Sequence, residues 1–205
     1  MKYIILIPIY NDRESLKLLI DNINNEIKDL NHDISLVVIN DASSQQIIDT
    51  YPNIENISSI EIINMKENRG HARCIATGLK YIFEKKEFDY VIPMDGDGED
   101  RPEEIKNFIH LSEQSGEKSI TGERVKRSEG LFFQLCYRFH KFLTLAFTGQ
   151  LIKFGNFTCL SKSTVKKLLD EKATWNSFSG SLKKIEKDLI TIPQLEVKDI
   201  LVHRK

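Results

Sequence analysis

The feature that most constrains this chain is a repeated alternation. A short apolar run rich in Ile and Val meets a polar break, and a segment with apolar residues at helical spacing follows. Lys2–Ile9 is the first such run, of the kind expected for a strand buried on both faces of a parallel sheet. It stops at Tyr10-Asn11-Asp12, and Leu16, Leu19, Ile20, Ile23, Ile27 and Leu30 then recur on one helical face. Ile34–Ile39 repeats the strand pattern and ends in Asn40-Asp41-Ala42-Ser43-Ser44, where Ser43 or Ser44 can cap a short helix that stops near Tyr51-Pro52. Ile60–Met65 reads as a third strand. Glu67-Asn68-Arg69-Gly70 turns into a helix with Ala72, Ile75, Ala76, Leu79 and Phe83 inward. Phe88–Met94 is a fourth strand, a helix runs from Pro102 to about Ser115, and Lys118–Thr121 is a fifth strand.

Strands separated by helices need crossover connections, so the expected fold class is α/β: a doubly wound, mainly parallel sheet with flanking helices. Ligands of such sheets bind beyond the carboxyl ends of the strands. The clusters Tyr10–Asp12, Asn40–Ser44, Asn68–Gly70 and Asp95–Glu99 all fall at such ends, whereas loop polarity scattered at random would fall at both ends. The coincidence points to one shared site.

The fourth of these clusters carries the most chemistry. Asp95-Gly96-Asp97-Gly98-Glu99-Asp100 packs four carboxylates into six residues. Carboxylates this close repel one another, and a cation between them relieves the repulsion. A solvated acidic turn is the plain alternative. Gly96 and Gly98 let the backbone bend the carboxylates inward. Asp97 and Glu99, with Asp95, are hard oxygen donors suited to Mg²⁺ or Mn²⁺ bridging a diphosphate. Arg124 and Arg127 could add charge-assisted hydrogen bonds to the same group. Asp100 and Pro102 are expected only to start the next helix.

Size and composition agree with a soluble globular chain. Its 205 residues are 40% hydrophobic and 29% charged, enough for a full core. Cys74, Cys136 and Cys159 are scattered among apolar neighbours. They suit a reducing, cytoplasmic compartment and form neither a disulfide framework nor a zinc site. No signal-like or bilayer-spanning run is present in the sequence. The net charge of −1 is unevenly spread: residues 1–123 carry 13 Lys+Arg against 23 Asp+Glu, and residues 124–205 carry 16 against 7. The basic second part suits an anionic partner, either phosphates or the cytoplasmic face of a membrane. Lysines that merely solvate helices also account for much of the excess. Nucleic acid is not expected, because the basic excess is diffuse and lacks a recognisable module.

Beyond Arg124 the pattern changes. Leu131–Phe147 holds six aromatic residues among leucines, with Arg138, His140 and Lys141 between them. It suits a buried helix or a segment lying in a membrane interface. Phe154–Leu160 reads as a strand, Ser163–Leu169 and Leu182–Asp188 as helices, and Leu189–Val202 as extended and broken at Pro193. The change of pattern divides the chain into a part over 1–124 and a second part over 125–205.

Several nucleotide-binding classes fail by absence. The chain has neither G-x-x-x-x-G-K-[ST] nor G-x-G-x-x-G after its first strand. A phosphoacceptor receiver needs Lys at the end of the fifth strand, where Gly122-Glu123-Arg124 stands. A metal-assisted reaction with a diphosphate leaving group remains.

Ile7-Pro-Ile-Tyr-Asn-Asp12, Val38-Ile-Asn-Asp41-Ala-Ser-Ser44, Asn68-Arg-Gly70 and Met94-Asp-Gly-Asp97 occur in that order. Together they resemble a family-2 glycosyltransferase of the GT-A fold. Within it, the pattern is similar to the dolichol-phosphate mannose synthase and polyprenyl-phosphate sugar transferase branch. The resemblance covers Lys2 to about Lys172. It implies that Pro8, Tyr10 and Asp12 line the nucleobase and ribose pocket, that Asp41 binds base or ribose, and that Gly70 lets the nucleotide approach closely. It further implies that Asp95 meets the sugar or ribose, that Asp97 and Glu99 hold the metal, and that Arg124 contacts phosphate or acceptor. The expected activity is transfer of a sugar from a nucleotide-diphosphate donor to a polyprenyl-phosphate or cell-envelope glycan acceptor, with inversion.

One position departs from the branch. Its usual acidic residue after the apolar helices is replaced here by Asn156, which cannot act as a base at neutral pH. A lipid-phosphate acceptor is already ionised and does without a base, whereas a sugar hydroxyl needs one. A non-catalytic nucleotide-sugar-binding module is therefore the alternative reading. His203-Arg204-Lys205 resembles the start of a basic segment that continues in relatives.

Overall fold

A computed structural model describes residues 1–45, 51, 54–123 and 154–193. Their elements follow the expected alternation. Strand β1 (Lys2–Ile9) leads to helix α1 (Arg13–Glu26), then β2 (Asp33–Asn40), β3 (Ile60–Asn64), α2 (His71–Lys85) and β4 (Tyr90–Pro93). A 3-10 turn over Pro102–Glu104 opens α3 (Ile105–Ser115), with Pro102 at its start, where the missing N–H costs nothing. β5 (Ile120–Glu123), β6 (Phe154–Ser161), α4 (Lys162–Asp170), α5 (Phe178–Ile185) and β7 (Ile190–Pro193) complete the described residues.

The seven strands form one sheet in the order β3-β2-β1-β4-β6-β5-β7. β1 pairs in parallel with β2 from Lys2↔Asp33 to Ile9↔Asn40, and with β4 from Tyr3↔Tyr90 to Leu6↔Pro93. The chain thus winds outward from β1 to β3 and returns on the other side of β1. This reversal makes a crevice above the β1–β4 boundary. β6 runs antiparallel between β4 and β5, and β7 runs parallel to β5. The sheet is mainly parallel, as the alternation of patterns requires.

Double winding shows in the side-chain alternation of β1. Tyr3, Ile5, Ile7 and Ile9 belong to a core shared with Leu16, Leu19, Ile20 and Ile23 of α1 and Ile105, Phe108 and Ile109 of α3. Ile4 and Leu6 belong to a second core with Ile75, Leu79 and Ile82 of α2, Val165 and Leu168 of α4, and Phe178 and Leu182 of α5. A period-two strand with both faces buried reads as an unbroken apolar run, hence the Ile-rich segment.

Three boundaries move. The last helix begins at Phe178 rather than Leu182, because the Ser177 side chain accepts from Gly180 N–H and caps the helix, and Phe178 joins Leu182 in the core. β5 sits two residues later than expected. β4 is shorter than Phe88–Met94, although the Met94 N–H still donates to the Leu6 carbonyl. The expected short helix before Tyr51, the aromatic stretch Leu131–Phe147 and the chain beyond Pro193 lie outside the described residues, as do Arg124 and Arg127. Among the described residues no helix is long and apolar enough to cross a membrane.

Candidate functional site

The polar breaks after β1 and β2 are stitched to each other. Asn11 has φ 51, a left-handed conformation that Asn tolerates better than most side chains. Its Oδ1 accepts from Ser44 N–H at 2.8 Å and Ser44 Oγ at 3.1 Å, and its own N–H donates to Ser43 Oγ at 2.9 Å. Asp12 caps α1 by accepting from Ser15 N–H at 3.2 Å. Tyr10 stands beside these residues 53% exposed, and Pro8, two residues earlier in β1, is buried.

Asp41, at the end of β2, is 3% exposed. Its two carboxylate oxygens accept from the backbone N–H groups of Arg69 (2.7 Å) and Gly70 (2.8 Å). The clamp draws the start of α2 against the end of β2. Gly70 has φ 84, which a side chain would strain. Asn40 supports the same corner: its amide donates to Asn64 Oδ1 at 2.8 Å and its Oδ1 accepts from Ser43 N–H at 3.0 Å. Cys74 lies beneath, its thiol pushed up to about 12 by burial and then by the Asp41 carboxylate. It is a structural thiol rather than a reactive one.

The acidic turn rises from β4. Asp100 is 3% exposed and its Oδ2 accepts from the backbone N–H of Asp95 at 2.8 Å, closing the turn on itself. Gly96 lies so close to β1 that a Cβ there would stand 2.8 Å from the Pro8 carbonyl oxygen. Asp95, 17% exposed, meets His71 Nε2 at 2.9 Å and the Asn156 amide at 3.3 Å through the same oxygen, Oδ1. The hydrogen bond that His71 donates to Asp95 raises the imidazole pKa above its ordinary range, and the Asp95, Asp97 and Asp100 charges add to it against the cost of burial. Asp97 and Glu99 are exposed at the tip, where Asp97 Oδ1 accepts from Glu99 N–H at 2.9 Å. Among the described residues no three acidic, His or Cys side chains are grouped to hold a metal unaided.

The strand ends therefore gather Pro8, Tyr10, Asp12, Asp41, Gly70, Asp95, Asp97, Glu99 and Asn156 on one rim of the sheet. β6 delivers Asn156 there because it runs antiparallel to β4, pairing Tyr90 with Ser161 and Val91 with Leu160, so its start returns to the level of Asp95. Two residues of this rim were not legible as site residues. His71 follows Gly70 directly, but its contact joins residues 24 apart in sequence. Asp100 does more than start a helix, because it is a buried acceptor for the turn. A concavity of about 580 Å³, lined by residues such as Lys2, His32 and Asp89, lies at the opposite rim and carries none of these residues.

Comparison with known proteins bears on the fold and the family. Among curated relatives, undecaprenyl-phosphate 4-deoxy-4-formamido-L-arabinose transferase of Yersinia pestis (strain Pestoides F) is 27% identical over 164 residues, covering 79% of this chain and 48% of that protein. The chain spans about half the length of the curated relatives it matches. Among solved structures, S. aureus TarS 1-349 superposes with a TM-score of 0.63 at 16% identity, over 95% of this chain and 59% of that one. Mannosyltransferase PcManGT from Pyrobaculum calidifontis, solved with GDP-Man and Mn²⁺, gives a TM-score of 0.58 at 18% identity, over 93% of this chain and 54% of that one. At such identities the likeness is one of fold, and the fold is of the GT-A type, as the ordered motifs implied. The sequence model described as Glycosyl transferase family 2 matches residues 4–169, from β1 into α4 and through every strand end of the rim, and the chain belongs to that family.

Proposed function

We propose that this chain transfers a sugar, with inversion, from a nucleotide-diphosphate donor to a polyprenyl-phosphate or cell-envelope glycan acceptor. The observation that carries the reading is the grip on Asp95 at the end of β4: His71 from the start of α2 and Asn156 of β6 meet its carboxylate, and Asp100 holds its backbone. In this reading Pro8, Tyr10 and Asp12 border the base and ribose, Gly70 allows close approach of the nucleotide, and Asp95 faces the sugar or ribose. Asp41 shapes the pocket through Arg69 and Gly70, and its oxygens keep further acceptor capacity for base or ribose. Arg124 and Arg127 supply positive charge to the diphosphate and the acceptor.

The donor set fits a divalent ion in one mode. Mg²⁺ and Mn²⁺ at such sites are held by one or two carboxylates together with substrate phosphates, without an all-protein cage. Exposed Asp97 and Glu99 suit that mode. When bound, the ion neutralises the charge that develops on the departing diphosphate. Gly96 and Asp100 keep the acidic tip anchored beside β1, so that the carboxylates meet the donor without a large rearrangement.

On the acceptor side Asn156 holds no proton-accepting group at neutral pH. A phosphate acceptor arrives ionised and attacks unaided, which favours the lipid-phosphate class over a sugar hydroxyl. The relative from Yersinia is named for an undecaprenyl-phosphate acceptor, in keeping with this choice. The basic second part of the chain suits work at the cytoplasmic face of a membrane.

Asn156 also favours a second reading, a nucleotide-sugar-binding module without turnover. Radiolabelled donors of the UDP, GDP and dTDP classes, incubated with Mn²⁺ and polyprenyl phosphate, separate the two. Labelled lipid supports transfer. Mn²⁺-dependent donor binding with no product across an acceptor panel supports the module.

A further inference from the structure

The grip on Asp95 comes from elements far apart in sequence. His71 lies in the first turn of α2, Asn156 on β6, and both reach Asp95 Oδ1, at 2.9 Å and 3.3 Å. An ionised carboxylate only accepts, so His71 presents a proton on Nε2 and the bond fixes the ring's tautomer or charge. We propose that His71 is a positioning residue for the donor: with Asn156 it sets the plane of the Asp95 carboxylate that meets the sugar nucleotide. This rests on the donor role given to Asp95 above.

Three features support positioning over mere stabilisation. Turning the carboxylate about its own axis breaks both bonds at once, so the two donors define an orientation that neither would alone. The backbone beneath each end is itself anchored, Gly70 by Asp41 Oδ2 and Asp95 by Asp100 Oδ2, so little slack remains between the partners. The His71 side chain is 46% exposed, where a charged pair adds little to folding. The pair also explains the amide at position 156. A carboxylate there would bring two anionic oxygens to about the 3.3 Å now spanned by a hydrogen bond.

The test uses the full chain with His71→Ala, His71→Gln and Asp95→Asn. Calorimetry with Mn²⁺ measures binding across a panel of UDP-, GDP- and dTDP-sugars. For each donor that the native chain binds, His71→Ala is expected to weaken affinity about tenfold, the order of one hydrogen bond to a charged group. His71→Gln, which keeps an N–H donor, is expected to stay within about threefold, and both variants to melt within about 2 °C of the native chain. Native affinity in His71→Ala overturns the proposal. So does a His71→Gln variant no better than His71→Ala, or a loss matched by a fall in melting temperature. Adding His71→Ala to Asp95→Asn, where no carboxylate remains to be held, is expected to cost less than about threefold in affinity. A further tenfold loss overturns the clamp. A native chain that binds no sugar nucleotide ends the donor reading and the positioning role with it.

Discussion

At the scale of single residues, carboxylates that look alike in sequence do different work because their surroundings differ. Asp41 and Asp100 are buried and satisfy backbone N–H groups, whereas Asp97 and Glu99 stay in solvent at the tip of a turn. Replacing Asp41 by Ala leaves the Arg69 and Gly70 N–H groups without their acceptor. Urea unfolding is expected to show a loss of about 1–3 kcal/mol, while Asp97→Ala is expected to unfold like the native chain. Sequence alone could not draw this line, since a run of acidic residues gives no sign of which member turns inward. His71 was hidden for the same reason: its meaning comes from a partner on another element. Its titration gives a signed prediction. The folded-state value is raised, so the contribution to stability is complete below the unfolded value of about 6.5 and is lost as pH rises through the higher folded value. The stability difference between the native chain and His71→Gln is expected to be small, within about 2 °C in melting temperature, and to shrink further from pH 5 to 9 in thermal unfolding. A difference that grows with pH contradicts the assignment.

At the scale of elements, the strands were the most legible part. β1 and β2 are buried on both faces, so their apolar runs carry the boundaries to within a residue. β3, at the sheet edge and only half buried, is legible through its Ile-rich composition. α5 was misjudged at its start, because Ser177 and Phe178 belong to its cap and core but break the simple helical spacing downstream. The antiparallel direction of β6 could not be read from residues 154–161, since direction depends on how the chain returns. That direction brings Asn156 beside Asp95 instead of to the opposite rim. The acidic turn depends on a close approach that only glycine permits. Gly96→Ala would force its Cβ against the Pro8 carbonyl oxygen and lift the turn from β1. The expected result is about 1–3 kcal/mol of destabilisation with a larger proportional loss of Mn²⁺-dependent donor binding, measured by denaturation and calorimetry on the same preparation.

At the scale of the whole molecule, the sheet order decides where chemistry can occur. Winding from β1 to β3 and back to β4 leaves the crevice at the β1–β4 boundary, and the motifs line its rim. The ordered motifs were legible in sequence because each must follow a strand, and strands are regular. The acidic first part and basic second part belong to this scale too. In the proposed reading the basic part meets an anionic acceptor surface. Flotation with vesicles containing anionic lipid is expected to retain the protein at low salt, to release it as salt rises, and to weaken in Arg138→Glu. No flotation at low salt would leave the aromatic stretch to the buried-helix reading.

The central claim is that these strand ends form a metal-assisted sugar-transfer site. Its most direct measurement is transfer of labelled sugar from a bound nucleotide donor to polyprenyl phosphate, with and without Mn²⁺, in the native chain and in Asp97→Ala. The account predicts transfer that chelation abolishes and that Asp97→Ala reduces by about a hundredfold or more, in the range of removing one electrostatic stabiliser of the transition state. Undiminished transfer by Asp97→Ala, or transfer indifferent to chelation, would contradict it.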